Sequence, residues 1–469
     1  MHDGPWARRT AAIVASVVGS VVASVVAIFV AILAVTLWCA RARANGAFPD
    51  SSAILLAADR PNQIILATNF GLIISEDDGQ TWSWTCEQAA TVSGSLYQMG
   101  PPAQDRIYAI STSGLVFSED GSCSWTRAQG LLASAYATDA FPDPNDPSRV
   151  LALASPIGDA SGGVQSLYAS MDGGGTFNVL MFSAPAQGGL LSVETARSAP
   201  STLYLSMYTP PGLHPKLVRS TDGFMSWTVL DVEPDLGASA FRIIAVDPET
   251  PTRVYLRVLD PAGETLAVSQ DGGNSFTKPV HVDGKLTAFV RLASGTVLVG
   301  ALTNGSGEGF RSTDGGVTFQ PWANPPRLRA LAERQGKLFA AADNFKDGFA
   351  LAVSTDEGAT FKPLMSFAQV TRIKPCAQAI CQESCGSLAG VELWSPAVCE
   401  PAGRGDGGGD AGGDGDASAL PPRGSSCGCH AAAGDAAPSA IAFGLGLALA
   451  IRRRGPHRRI TRSARSAPS

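Results

Sequence analysis

The segment Ser312-Thr313-Asp314-Gly315-Gly316-Val317-Thr318-Phe319 carries the pattern that decides the fold of this 469-residue chain, Ser-x-Asp-x-Gly-x-Thr/Ser-Trp/Phe. Six further copies begin at Ser75, Ser118, Ser170, Ser220, Ser269 and Ser354. The serines of successive copies are 43, 52, 50, 49, 43 and 42 residues apart. A period of about 40–50 residues is typical of a propeller built from repeated blades. The pattern therefore predicts seven blades.

Each copy has the composition of a tight turn. Aspartate accepts hydrogen bonds from nearby backbone N–H groups, and glycine supplies a positive φ. The closing Trp or Phe is a large apolar residue that begins the next strand. We therefore expect a hairpin loop in which the aspartate folds back onto its own backbone. The aspartates are Asp77, Asp120, Asp172, Asp222, Asp271, Asp314 and Asp356. Ser122 and Phe224 replace the usual glycine in the second and fourth copies.

A second repeated feature precedes most copies of the pattern. It is a short apolar or β-branched run behind a turn, as in Arg60–Thr68, Asp143–Leu153 and Asp247–Leu256. Such runs predict the inner strand of each blade, which a middle strand, the repeated pattern and an outer strand then follow. The two repeats together predict an all-β, seven-bladed propeller of four-stranded antiparallel blades over residues 46–372. Ser51–Ala58 is expected either to form an early strand or to help close the last blade.

The repeated pattern resembles the Asp-box, or BNR repeat, of sialidase-like propellers. This resemblance implies that each box joins the third and fourth strands of a blade. It also implies that the boxes lie at the rim, away from the axis, and that their aspartates are structural.

Charge and histidine content exclude several functions. The net charge is −6 and no basic stripe runs through the repeats, which argues against a nucleic-acid partner. The five histidines are scattered, so the sequence indicates no metal site. The glycine-rich stretches do not lie between a strand and a helix, so no phosphate-binding loop and no cofactor are expected.

Four cysteines, Cys376, Cys381, Cys385 and Cys399, follow the last blade in a segment spanning 373–400. Their spacing matches no common zinc signature. In a chain with a membrane-targeting start we expect them to form two disulfides, with three connectivities open. A further expectation is that Cys86 and Cys123 join neighbouring blades.

The N-terminal region, residues 1–45, contains 28 uncharged residues from Ala11 to Trp38. At 1.5 Å per residue, a helix of this length spans a bilayer. The segment is predicted to be a signal anchor or, because small residues follow at 40–44, a cleaved signal peptide. Both interpretations place the propeller outside the cytoplasm.

The C-terminal region begins with a Gly/Asp-rich linker over 401–424. The tail, 425–469, has Cys427 and Cys429, then an apolar run at 436–451 and a cluster of arginines. This order resembles the MYXO-CTERM sorting tail of myxobacterial surface proteins. The resemblance implies processing near a cysteine, Cys427 before Cys429, and display at the outer-membrane surface or cell envelope. A plain membrane anchor is the alternative.

An enzymatic role receives little support from the sequence. Sialidases carry an early Phe/Tyr-Arg-Ile-Pro motif, and its nearest match, Phe241–Ile244, lacks the proline. Tyr108, Tyr204 and Tyr255 occupy the repeated strand position, where an aromatic side chain packs. No catalytic, cofactor-binding or metal-binding residue is assigned.

The function expected is that of a non-catalytic binding or scaffold module for a glycan or a protein. A glycoside hydrolase of sialidase-like or other Asp-box type is the alternative. The ligand is expected on the axial face, and the ends of the chain are expected to contact the membrane. The longer spacings predict extra loop length at Phe141–Ser166, Gln187–His214 and Val232–Thr252.

Overall fold

A computed structural model describes residues 48–401, apart from 93, 95, 103–105 and 157–163. Seven four-stranded antiparallel blades follow one another along this part of the chain. Blades 1 to 3 contain β1–β4 (Ser51–Leu55, Ile64–Thr68, Gly71–Ser75, Ser83–Cys86), β5–β8 (Leu96–Met99, Ile107–Ser111, Gly114–Ser118, Thr126–Arg127) and β10–β13 (Ala135–Pro142, Val150–Pro156, Ser166–Ser170, Thr176–Ser183). The short strand β9 (Gln129–Gly130) pairs with β13. The predicted fold class is confirmed.

Blades 4 to 7 repeat the same arrangement. They contain β14–β17 (Gly189–Ala196, Ala199–Thr209, His214–Ser220, Thr228–Asp231), β18–β21 (Ala240–Val246, Val254–Asp260, Gly263–Ser269, Thr277–Val282), β22–β25 (Lys285–Arg291, Val297–Thr303, Ser306–Ser312, Gln320–Pro321) and β26–β29 (Leu328–Arg334, Lys337–Ala342, Leu351–Ser354, Lys362–Met365). The last strand, β30 (Arg372–Ile373), lies beside β4 of blade 1.

The core consists of seven apolar clusters, one between each pair of adjacent blades. Alternating strand residues supply these clusters, because successive side chains point to opposite faces of a sheet. The cluster between blades 7 and 1 joins Phe339 and Leu351 to Ile64 and Trp84. The seven blades therefore form a closed ring, with the first strand of each blade innermost.

The order of strands defines two faces of the ring. In an antiparallel blade, successive loops leave from alternate ends. The loop from first to second strand and the loop from third to fourth strand therefore share one end, here named the box face. The loop from second to third strand and the connections between blades share the other end, here named the opposite face.

One expectation about strand placement needs correction. The repeated apolar runs, such as the one that ends at Thr68, form the second strand of a blade, and the innermost strand precedes the turn. Ser51–Leu55 is the innermost strand of blade 1, which is the first of the two alternatives expected for Ser51–Ala58. The longer spacings were expected to add loops. Residues 143–149 and 247–253 do lie in loops, whereas in Gln187–His214 the added length is mainly strand, since Ala199–Thr209 has 11 residues.

Short helices occur in the connections and after blade 7. They are Glu87–Ala90, Glu233–Leu236, Asn344–Asp347, Phe367–Gln369, Pro375–Ala377, Gln378–Gly390 and Pro396–Cys399. None of the helices in the described part of the chain is long and apolar enough to cross a membrane.

Residues 371–400, here named the clasp, pack on blade 1. The strand β30 pairs in parallel with β4, and Trp394 packs on Trp84 with ring centroids 5.0 Å apart. Disulfides join Cys86 to Cys381, Cys123 to Cys376 and Cys385 to Cys399.

This disulfide pattern corrects two expectations. The four clasp cysteines do not form two bonds among themselves, since only Cys385 and Cys399 do so. Cys86 and Cys123 do not join each other. Each bonds a clasp cysteine, because the clasp runs beside the outer strand of blade 1 and reaches the box loop of blade 2.

Candidate functional site

The seven boxes form loops between the third and fourth strands, all on the box face. In the first loop, Ser75 Oγ donates to Asp77 Oδ1 (2.8 Å) and accepts from Gly79 N (2.8 Å). Asp77 Oδ1 accepts from Thr81 N (2.9 Å), and Asp77 Oδ2 accepts from the Thr81 hydroxyl (2.6 Å). The aspartate thus holds its own loop.

These hydrogen bonds favour the ionised aspartates. The largest cause of the lowered pKa is the hydrogen bond from the Thr or Ser hydroxyl four residues after the aspartate. The pKa falls to about 2 for Asp77, Asp222, Asp314 and Asp356. A second group has a lowered pKa although burial opposes the shift: Asp120, Asp172 and Asp271. All seven side chains therefore serve their loops and lie away from the innermost strands.

The box loops also contact the preceding blade. The Tyr108 hydroxyl donates to Gly173 O (2.8 Å), and the Tyr255 hydroxyl donates to Gly315 O (3.0 Å). Tyr204 makes a similar bond to Pro251 O (2.9 Å), in the first loop of blade 5. Burial raises the pKa of Tyr108 and Tyr255 to about 12, so both remain protonated donors. The sequence predicted packed aromatic residues and missed these hydroxyl contacts.

Three titratable groups that influence one another lie on the innermost strands of blades 3, 4 and 5. In β10 the pairing with β11 shifts between Ala137 and Asp139, which leaves Thr138 as a bulge. Bulges re-aim side chains and are common near functional sites. Asp139 Oδ2 accepts from Val193 N (3.0 Å) on β14, and Asp139 Oδ1 accepts from Ala140 N (3.1 Å). Asp139 therefore ties two innermost strands together.

Glu194 and Arg242 complete this axial cluster. Burial raises the pKa of Asp139 to about 6, against the opposing effect of the Arg242 charge. Burial and the nearby charge of Asp139 raise the pKa of Glu194 well above its ordinary value of 4.5. Both residues are half-buried. The cluster thus combines an acid that resists ionisation with a second carboxylate and a cation.

An ion pair lies on the second and third strands of blade 5, at the contact with blade 6. Arg257 Nε and Nη2 donate to Glu264 Oε2 and Oε1 (2.6 and 2.7 Å), and Glu264 Oε2 also accepts from Leu286 N (2.7 Å). The adjoining cavity, lined by Ile244 and Phe289 among others, has a volume of about 80 Å³.

Exposed apolar side chains mark the opposite face of three consecutive blades. Leu96, Tyr136 and Leu213 belong to blades 2, 3 and 4 and are 49%, 46% and 46% exposed. Phe48 and Phe345 pack together near blades 1 and 7, with ring centroids 4.6 Å apart, and both remain exposed.

The sequence found the box aspartates but not the axial cluster. Phe241–Ile244 lies in β18 as expected, yet its Arg242 belongs to the cluster. Within residues 48–401, no group of three or more His, Cys, Asp or Glu side chains is arranged to hold a metal ion. Cys427 and Cys429 lie outside the described residues.

Comparison with known proteins adds only distant structural likenesses. No protein-family model and no curated protein matches the chain. The GH74 enzyme from Niastella koreensis matches at 14% identity over 67% of this chain and 65% of the enzyme, with a TM-score of 0.39. The chain therefore spans less than two thirds of that enzyme.

Two smaller proteins match over more of their own length. YCF48 from Cyanidioschyzon merolae matches at 14% identity over 62% of this chain and 92% of its own, with a TM-score of 0.44. Sqt1 from Saccharomyces cerevisiae matches at 11% identity over 68% and 86%, with a TM-score of 0.45.

Proposed function

We propose that this chain is an exported, surface-anchored propeller that acts as a non-catalytic binding or scaffold module. The observation that carries the proposal is the run of exposed Leu96, Tyr136 and Leu213 on the opposite face of three consecutive blades. Apolar side chains on a soluble surface mark interaction sites when they cluster. Two aliphatic residues beside one tyrosine suit a protein partner better than a glycan, whose rings stack mainly on aromatic residues.

The polar groups of the axis support the same conclusion. Asp139 accepts hydrogen bonds from backbone N–H groups at both carboxylate oxygens and so joins β10 to β14. A carboxylate held in this way positions strands. The ring is then a rigid support for the opposite face.

The test uses crosslinking in the cell envelope of the producing organism, with full-length chains and mass-spectrometric identification. A variant with Leu96→Asp, Tyr136→Asp and Leu213→Asp should lose one reproducible crosslinked protein. The matched control Val317→Asp, at an exposed box position, should keep it. A partner retained by the triple variant, or no partner for the wild type, contradicts the proposal.

One observation favours the alternative, a glycoside hydrolase. Burial and the charge of Asp139 raise the pKa of Glu194, and glycosidases pair a carboxyl group of raised pKa with a second carboxylate. The measurement is turnover of fluorogenic sialosides and xyloglucan oligosaccharides by the full-length chain. We expect no turnover. Turnover that Glu194→Gln abolishes would establish the hydrolase instead.

Export and anchoring form a separate part of the proposal. Three disulfides fit an oxidising compartment, and the apolar N-terminal segment and the cysteine-containing tail supply candidate membrane contacts. The Cys427→Ser/Cys429→Ser variant should be released or retained in the inner membrane, as measured by fractionation and surface protease accessibility. Normal surface display of this variant contradicts the sorting role.

A further inference from the structure

The three disulfides differ in their exposure to solvent. Four of the six cysteines are buried in the apolar cluster between blades 7 and 1: Cys86, Cys381, Cys385 and Cys399. Cys376 is exposed and Cys123 is half-buried. Thiol–disulfide exchange requires a thiolate to reach a sulfur atom, and an apolar core excludes that charged group. The Cys123–Cys376 bond, here named the latch, is therefore the disulfide that a reductant reaches first.

The latch fastens the clasp to the outer hairpin of blade 2, which few strand contacts hold. β8 has two residues and pairs with two residues of β7. In the box loop between these strands, Ser122 adopts a φ of 81°, a conformation that glycine adopts most easily. The same loop contacts the clasp a second time, since Lys374 Nζ donates to Gly121 O (2.6 Å). The order of this hairpin therefore depends on its attachment to the clasp.

We propose that the latch is a redox-sensitive site on which a dithiol protein of the thiol–disulfide exchange class acts, and that its opening loosens the outer hairpin of blade 2 while the ring stays closed. The clasp remains in place because the buried bond between Cys86 and Cys381 still holds it and β30 remains paired with β4. This redox role goes beyond the proposed binding function and does not depend on it.

Opening of the latch transfers two electrons from the dithiol protein to the chain. A thiolate of the dithiol protein attacks the sulfur of Cys376, the more exposed of the two cysteines. The S–S bond of the latch breaks, and Cys123 leaves as a thiolate that takes up a proton. The second thiol of the dithiol protein then displaces Cys376. The chain thereby gains two thiols, and the dithiol protein becomes a disulfide.

The first test compares the rates at which the three disulfides of the folded full-length chain are reduced. Free thiols are blocked with a maleimide, and dithiothreitol is then added under native conditions. New thiols are labelled with an isotopically distinct maleimide and located by peptide mass spectrometry. Thiols at Cys123 and Cys376 should appear at least about tenfold faster than thiols at the four buried cysteines. Equal rates for the three bonds, or earlier reduction of a buried bond, contradict the proposal.

A thioredoxin-class protein tests the class of partner. A form of it that keeps only its attacking cysteine should be trapped on the wild type as a mixed disulfide at Cys376. The matched control is the Cys123→Ser/Cys376→Ser variant, which should trap none because its remaining disulfides are buried. Absence of a mixed disulfide on the wild type, or trapping at a buried cysteine, contradicts the assignment.

Hydrogen exchange measures what opening of the latch does to the fold. In the Cys123→Ser/Cys376→Ser variant, backbone N–H groups of residues 114–127 should exchange at least about tenfold faster than in the wild type, whereas blades 4 to 6 should be unchanged. The Cys385→Ser/Cys399→Ser variant is the control and should leave 114–127 as in the wild type. Unchanged exchange at 114–127 without the latch, or faster exchange throughout the ring, contradicts the proposal.

Discussion

At the scale of single residues, the fifth position of each box requires a backbone conformation that glycine adopts most easily. The φ angle there lies between 74° and 92° in all seven loops. Ser122 and Phe224 adopt it without being glycine. Phe224 gains compensating contacts, since it stacks on Trp227 and lies under the Arg149 guanidinium, 5.2 Å from the ring centroid. The sequence shows that serine and phenylalanine replace glycine at this position, but it does not show the contacts that offset the strain at Phe224.

The cost of a side chain at this position can be measured at Gly316. Its φ is 88°, and an added Cβ would lie 2.8 Å from Tyr255 Cε1. Gly336 has a φ of 74° but has no atom near an added Cβ. Gly336→Ala should cost about 1 kcal/mol of unfolding free energy from φ alone, and Gly316→Ala should cost more. Equal losses in chemical denaturation would contradict close packing of the box on Tyr255.

The box aspartates should stabilise the fold without taking part in binding. Asp172→Ala removes the acceptor for Ser170 Oγ and Thr176 N. Because solvent can replace part of these bonds, we expect a loss of about 1–2 kcal/mol, seen as a lower Tm in calorimetry. An unchanged Tm would show that the loop holds its shape by other means.

Glu194 should make stability depend on pH. Its folded pKa is raised by burial, so its contribution is fully present below 4.5 and is lost as pH rises towards the folded pKa. Glu194→Gln removes this titration. As pH rises above 4.5 towards the folded pKa, the variant should therefore lose less stability per pH unit than the wild type, as measured by denaturation at a series of pH values. Parallel profiles would place Glu194 in a solvated setting.

At the scale of elements, the clasp is the part that the sequence described least well. Composition predicted that its cysteines form disulfides, but the pairing depends on where the clasp lies in space. β30 runs beside β4 because Arg372 and Ile373 continue the sheet, and this brings Cys381 within a Cα–Cα distance of 5.4 Å of Cys86. No spacing along the chain contains that information.

The two long-range disulfides should act as alternatives for holding the clasp. Cys86–Cys381 and Cys123–Cys376 span 295 and 253 residues, whereas Cys385–Cys399 spans 14. Removing one long-range bond by Ser substitution should cost little, because the other still closes the loop. Removing both should cost several kcal/mol, about 2–5 on the usual scale, and more than the sum of the single losses. Strict additivity in denaturation experiments would contradict this.

At the scale of the whole molecule, the ring closes without exchanging a strand between its first and last blades. All four strands of blade 1 are consecutive in sequence. Arg334 of blade 7 donates to the carbonyl oxygens of Pro61 and Gln63 in blade 1, and the clasp then covers the outer strand of that blade. The clasp and these contacts take the place of a shared blade.

The blade number was predictable from the sequence because every blade repeats the same local loop chemistry. The axial cluster was not, because Asp139, Glu194 and Arg242 come from three different blades. Only closure of the ring brings them together, and no repeated motif marks them.

The clasp holds the ring shut through its disulfides. Peptide mapping of the full-length chain by mass spectrometry, without reduction, tests this most directly. We expect Cys86 to be bonded to Cys381, Cys123 to Cys376 and Cys385 to Cys399. Free thiols at these six positions, or clasp cysteines bonded only among themselves, would contradict it.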